Sequence, residues 1–238
     1  VPAHPAAESF AAVAAEYERG RPDWPEALLD AVPVDPEARV LDLGAGTGKL
    51  TRVLARRYAG VVAVEPLAEL RAILTAVVPS ADVRPGRAEA IPLPDAAVDA
   101  VFVGQAFHWF AHDEAVREIA RVLQPAGVLA VLWNEPRPGT HWPLPGEYRA
   151  RLDRLRDEAT PPEIDWDVVA RSGFGELYDA AVDHEQVSSR EDVLAFAASV
   201  SWIAVRPDRA AVLAELTTLL PEPEYRFPLR ANARWARL

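Results

Sequence analysis

Residues 40–48 read VLDLGAGTG, an apolar run, VLDL, leading straight into glycines at 44, 46 and 48. A short apolar run closed by glycine reads as a buried strand. The residues that follow, KLTRVLARRY at 49–58, carry apolar side chains at 50, 53 and 54, the spacing of an amphipathic helix. Glycine lets the chain turn sharply after the strand and lets a ligand approach without a Cβ in its way. Strand, glycine loop and helix in this order make a loop suited to an adenosine-containing cofactor.

Working outward, the next apolar run is VVAV at 61–64, and Glu65 ends it, 23 residues after Asp42. An acid there accepts hydrogen bonds from both ribose hydroxyls. Two other nucleotide readings fail on single residues. A dinucleotide loop needs Gly or Ala at position 49, where Lys49 stands and obstructs strand–helix packing. A phosphate-cradling loop needs Gly at 43 and Ser or Thr at 50, and the chain has Leu43 and Leu50. The spacing suits a cofactor without phosphates, with Asp42 facing a cationic amine.

The rest of the chain alternates helices and short apolar runs, the pattern of a parallel sheet covered on both faces. Strands are expected at 40–43, 61–64, 82–84, 98–103, 128–133, 177–187 and 225–235. Helices are expected at 6–19, 24–32, 50–58, 67–77, 113–123, 147–156, 166–171, 191–198 and 208–219, with a Pro- and Gly-rich loop at 136–146. The fold class is α/β: a Rossmann-like, doubly wound, mostly parallel seven-stranded sheet, its last strand antiparallel. A single domain, 1–238, is expected. Residues 1–135 would form the cofactor-binding part, and 136–238 would complete the sheet and cap the substrate pocket.

A chain of 238 residues with 50% hydrophobic and 26% charged residues is ordinary for a globular protein. No apolar run reaches the ~18 residues of a membrane helix. There is no cysteine, which excludes disulfides and thiolate zinc sites and is compatible with a reducing cytoplasm. The net charge of -11 argues against nucleic acid or an anionic membrane as partner. Arg226, Arg230, Arg234 and Arg237 are the one place to look for a basic patch; their spacing reads as the solvated face of a strand. Lys49 is the only lysine among 25 basic residues, which suggests high-GC, bacterial coding. The chain starts at Val1, so an upstream segment could have been trimmed.

The pattern D-x-G-x-G-x-G at 42–48, followed by Glu65, resembles class I S-adenosylmethionine-dependent methyltransferases. GRAEAIPLPD at 86–95, VDAVFVGQAFHWF at 98–110 and REIARVLQPAGVLAVLW at 117–133 resemble the type 11, small-molecule branch, near the ubiquinone and menaquinone biosynthesis enzymes. Phe107-His108-Trp109-Phe110, with Tyr17-x-x-x-Arg21-Pro-x-Trp-Pro25, resembles a subgroup that includes trans-aconitate methyltransferases. The resemblance covers roughly residues 10–135 and is weak beyond. It implies S-adenosylmethionine as cofactor and S-adenosylhomocysteine as product. Gly44, Ala45 and Gly46 would lie against the methionine part, with Asp42 near its amino group. Glu65 would hold the ribose, Pro66 or Leu67 would flank the adenine, and Ala88 and Glu89 would meet its edge. Gln105 would present its backbone near the methionine moiety, and Tyr17 and Arg21 would close the pocket, Arg21 pairing with the cofactor carboxylate.

Methyl transfer from a sulfonium is an in-line displacement, so the protein's main work is positioning in a dry pocket. His108 is the candidate base for a hydroxyl, amine or carbon-acid acceptor, with a structural histidine as the other reading. Trp109, with Phe107 and Phe110, could hold the sulfonium charge against aromatic faces or simply pack the core. His112, four residues after His108, has no third ligand, so no metal site is expected. No G-x-S-x-G elbow supports a hydrolase. Trp142, Tyr148, Trp166, Phe196, Trp202 and Phe227 could include substrate-pocket walls, with Ser201–Trp202 the segment to watch. The acceptor is a small molecule reacting at oxygen, nitrogen or carbon. Two alternatives stay open: an aminopropyl-type transferase on the same fold, and an inactive cofactor-binding or partner protein.

Overall fold

The computed structural model describes residues 9–156 and 164–238. Five parallel strands lead the chain: β1 (Arg39–Leu43), β2 (Gly60–Val64), β3 (Asp82–Arg84), β4 (Val98–Gly104) and β5 (Leu123–Pro136). Two long strands, β6 (Tyr178–Ser189) and β7 (Glu224–Arg237), complete a seven-stranded sheet in the order β3-β2-β1-β4-β5-β7-β6. Side-chain pairs run Arg226–Glu185, Arg230–Asp183 and Arg234–Asp179, so β7 numbers rise as β6 numbers fall. That pairing is antiparallel. It gives the mixed, mostly parallel sheet that the strand pattern predicts.

The central strands are buried along nearly their whole length, which is why they read as continuous apolar runs rather than as alternation. Helices follow the strands: α1 (Ala14–Gly20) precedes the sheet, and α2 (Lys49–Arg57), α3 (Ala68–Val77) and α4 (Asp113–Val122) alternate with it. Beyond β5 come α5 (Gly146–Leu155), α6 (Asp167–Arg171), α7 (Arg190–Ser199), α8 (Ser201–Ala204) and α9 (Arg209–Thr218). One apolar layer joins Leu41, Leu43, Val101 and Val103 to Phe107 and the buried side of α4. The layer on the opposite strand faces joins Val40, Ala100 and Phe102 to Leu50, Val53 and Leu54 of α2.

Three expectations are revised. The helix expected at 24–32 is a 3₁₀ turn, Glu26–Ala31, seated by the buried Leu28 and Leu29. The N-terminal helix is a 3₁₀ turn at Ser9–Val13 running into α1, and its expected start at 6–8 lies outside the described residues. Strand β5 starts at Leu123 rather than at 128. Gln124, Pro125 and Ala126 look like a turn because they are exposed, and Ala126 does take a left-handed φ of 64°.

The chain clusters into two compact units. One comprises residues 24–135, 162–182 and 231–238, with the parallel strands and the glycine loop. The other comprises residues 1–23, 136–161 and 183–230; its core gathers Tyr148, Leu155, Ile203, Val212 and Leu216. Residues 1–23 group with the second unit.

Candidate active site

Register brings Asp42, Gly44 and Glu65 to one edge of the sheet. Asp42 lies level with Ala63 of β2 and Phe102 of β4, so Gly44 falls level with Glu65 and Gly104. This is the carboxyl edge of the parallel strands, where ligands bind in such sheets. Gly44 and Gly46 take φ of 72° and 58°, a left-handed conformation that side chains resist. A Cβ on Gly44 would stand 2.9 Å from the Ala106 Cβ, so the loop and the segment after β4 touch with no room to spare.

Most of the loop's own N–H donors are already engaged. Gly44 N and Ala45 N both donate to Val64 O, at 2.9 and 3.1 Å, and Gly46 N donates to Glu65 Oε2 at 2.9 Å. A phosphate loop aims such N–H groups at its ligand. Here three consecutive ones close on the end of β2, and the loop lacks that anion cradle. The neighbouring groups are acids. Asp42 is 1% exposed; its Oδ2 accepts from the Thr51 hydroxyl at 2.6 Å, and its Oδ1 has no protein partner. Burial pushes its pKa up to about 7, against the pull of the Thr51 hydrogen bond. Thr47, also buried, has an unpartnered hydroxyl. A desolvated carboxyl with a free oxygen and a free hydroxyl fit an ammonium group, not an anion.

Glu65 is held at both oxygens, Oε2 by Gly46 N and Oε1 by Leu67 N at 2.9 Å each. A carboxylate offers about four lone-pair positions, so roughly two remain, as many as a ribose diol needs. Burial raises the Glu65 pKa, opposed by the two backbone donors and the charge of Arg71. Pro66 and Leu67 form the turn into α3. Ala88 is buried; Glu89 is within 3.3 Å of His112 Nε2 and 3.4 Å of Arg87 Nε. His112 Nδ1 accepts from Ala115 N at the start of α4, which leaves Nε2 to carry the hydrogen toward Glu89. His112 is therefore a helix cap tied to an acid. Among the described residues, no group of three or more His, Cys, Asp or Glu could hold a metal.

Gln105 has φ 58°, unusual for a residue with a side chain, and is held by its N–H on Leu132 O and its amide on Asn134 O. Strain of this kind collects at functional sites. It turns the chain into the Phe107–Trp109 turn. Phe107 and Phe110 pack edge-to-face in the core, and Phe107 stacks on Trp166, so these two rings are packing groups. His108 and Trp109 are the partly exposed members, ring centroids 4.7 Å apart.

A methyltransferase-domain family profile matches residues 41–131, the span from β1 into β5. An uncharacterized methyltransferase-like protein of Schizosaccharomyces pombe is 35% identical over 209 residues, covering 84% of this chain and 80% of that protein. The chain belongs to the class I S-adenosylmethionine-dependent methyltransferases. An uncharacterized methyltransferase of Mycobacterium tuberculosis is 45% identical over 157 residues, and the match spans 65% of each chain. A trans-aconitate 2-methyltransferase of Azoarcus is 34% identical over 146 residues, 58% of this chain and 57% of that one. Among solved structures, a type II methyltransferase so described from Anaeromyxobacter dehalogenans superposes with a TM-score of 0.65 at 26% identity. It covers 91% of this chain and 97% of its own. S-adenosylmethionine, the cofactor of this methyltransferase family, is a phosphate-free adenosyl amino acid, and the donor set around the loop fits it.

Of the expected methyltransferase site, Asp42, Gly44, Ala45, Gly46, Glu65, Pro66, Ala88, Glu89, Gln105, His108 and Trp109 belong to one compact unit. Tyr17 and Arg21 belong to the other. There the Arg21 guanidinium lies 5.0 Å from the rings of both Tyr17 and Phe196, and it donates to the hydroxyl and carbonyl of Ser199 at 3.1 Å each. Burial lowers the Arg21 pKa. Thr47, Thr51 and Arg71 escaped the reading of the sequence. Thr51 carried a signal, since it falls on the apolar stripe with Leu50 and Leu54, and a hydroxyl there needs a buried partner.

Proposed function

We propose that the protein transfers a methyl group from S-adenosylmethionine to oxygen, nitrogen or carbon of a small-molecule acceptor. One observation supports this most. The glycine loop turns its N–H groups onto Val64 and Glu65 and leaves acids, Asp42 and Glu65, to meet the ligand. When bound, the cofactor supplies an electrophilic methyl on a sulfonium. The chain supplies position and a dry wall. Asp42, with the free Thr47 hydroxyl, accepts the amino group; Gly44, Ala45 and Gly46 allow close approach of the methionine part; and the Gln105 backbone borders it. Glu65 accepts the ribose hydroxyls, Pro66 flanks the adenine, and Ala88 and Glu89 meet its edge. Tyr17 and Arg21 enter the proposal through their motif alone.

His108 is the group offered to a proton leaving the acceptor, and Trp109 the aromatic face offered to positive charge. The Azoarcus relative's name gives trans-aconitate as its acceptor, which supports a small-molecule acceptor here. The test is a panel of candidate acceptors with methyl-labelled cofactor, read by product mass. A gain of one methyl on any acceptor is expected. An aminopropyl gain, or tight cofactor binding with no transfer to any acceptor, would replace this reading with one of the two alternatives above.

A further inference from the structure

Arg71 stands one turn into α3 and reaches back to the turn before it. Its Nη1 donates to Glu65 O at 2.8 Å and to Pro66 O at 2.6 Å. Leu67 N closes the same turn from the inside on Glu65 Oε1, and Arg71 N follows on Leu67 O at 3.0 Å. Pro66 has no N–H to stabilise the turn itself, so the guanidinium is what ties its two carbonyls together. The turn in turn fixes the Glu65 side chain. That carboxylate reaches across 19 residues of sequence to Gly46 N, the middle of the glycine loop, while Gly44 N and Ala45 N hang on Val64 O. One carboxylate thus braces the loop offered to the amino-acid end of the cofactor and also faces its ribose.

We propose that Arg71 is a positioning residue that, by fixing the 65–67 turn, sets the Glu65 carboxylate and couples the ribose end of the cofactor site to its amino-acid end. This rests on the reading of the site as one for S-adenosylmethionine. Arg71 itself need not touch the ligand. Its bonds to the two carbonyls are charge-assisted and both come from Nη1, whose two hydrogens diverge toward adjacent acceptors.

The test compares the whole chain with Arg71→Ala and Arg71→Lys by calorimetric titration with two ligands. S-adenosylhomocysteine carries both ends of the cofactor; methylthioadenosine carries the adenosine and thioether but no amino acid. Arg71→Ala is expected to weaken S-adenosylhomocysteine about tenfold or more and methylthioadenosine about threefold. Arg71→Lys should recover part of both losses, and kcat at saturating cofactor should stay within about twofold of the parent. Equal losses on the two ligands would overturn the coupling, and no loss on either would overturn the positioning role. If Arg71→Ala does not fold, the same comparison is read from Arg71→Lys. An unsubstituted chain that binds neither ligand would overturn the reading of the site itself, a different failure from either.

Discussion

Asp42 is a carboxyl group held almost wholly out of water. Its ordinary pKa is 3.8, and burial pushes it to about 7. The folded chain therefore holds a proton that the unfolded chain gives up earlier. Stability is unaffected by Asp42 below pH ~4, falls between pH ~4 and ~7, and is level above, a total of a few kcal/mol. Asp42→Asn removes this dependence, so its melting temperature should fall less than the parent's between pH 5 and 7.5. A parallel decline in both proteins would show that Asp42 is not the group responsible. The same proton predicts linkage to the ligand. An ammonium placed beside Asp42 favours the ionised form, so S-adenosylhomocysteine should release protons near pH 6.5. Titrations in buffers of different ionisation enthalpy would then give different apparent heats. Glu65→Ala removes the proposed ribose acceptor and the brace on Gly46 together. Its expected cost is about 100-fold or more in S-adenosylhomocysteine affinity, read by titration.

At the scale of elements, the close approach of α1 to α7 is the most exacting contact. A Cβ on Gly20 would lie 2.1 Å from Phe196 N, a backbone atom that cannot step aside. Gly20→Ala should therefore displace α1 and lower stability by about 1–3 kcal/mol, read as a drop in denaturant midpoint. An unchanged midpoint would mean the helices separate freely. Helix α7 also starts on a capping box, with the Ser189 hydroxyl accepting from Asp192 N and Asp192 accepting from Ser189 N. The strands were legible because burial on both faces leaves only apolar runs between turn residues. Strand β6 was legible for the opposite reason, since its half-exposed residues alternate. Turn geometry was less legible. Trp24-Pro25 looks like a helix start whether the chain then winds as α or 3₁₀. In the site, the loop and Glu65 were readable from spacing. The bonds that hold them, from Thr51 and Arg71, were not, because they depend on how helices rotate onto the sheet.

For the molecule as a whole, the charge of -11 and the fate of the C-terminal arginines belong together. Arg226 pairs with Glu185 and Glu224, Arg230 with Asp183, and Arg234 with Asp179 while lying 4.8 Å over the Trp166 ring. Arg237 caps the carbonyls of Ala126 and Pro33. None of the four is left to meet a phosphate backbone. The chain is therefore expected to show no binding to duplex DNA at ~150 mM salt in a mobility assay, and a salt-sensitive complex would contradict this. No helix among the described residues is long and apolar enough to cross a membrane.

The same arginines bear on a hazard that has nothing to do with catalysis. Strand β6 is the last in the sheet and twelve residues long, with no further strand hydrogen-bonded beyond it among the described residues. A long open strand is a template on which another chain can grow. Here an incoming strand would meet carboxylates at 179, 183 and 185, each already clasped by an arginine from β7. To add itself it would have to crowd three ion pairs, with Tyr178 and Val187 as the large exposed apolar side chains along the strand. The rungs add little to the stability of the fold. Their expected consequence is an edge that disfavours the addition of a further strand.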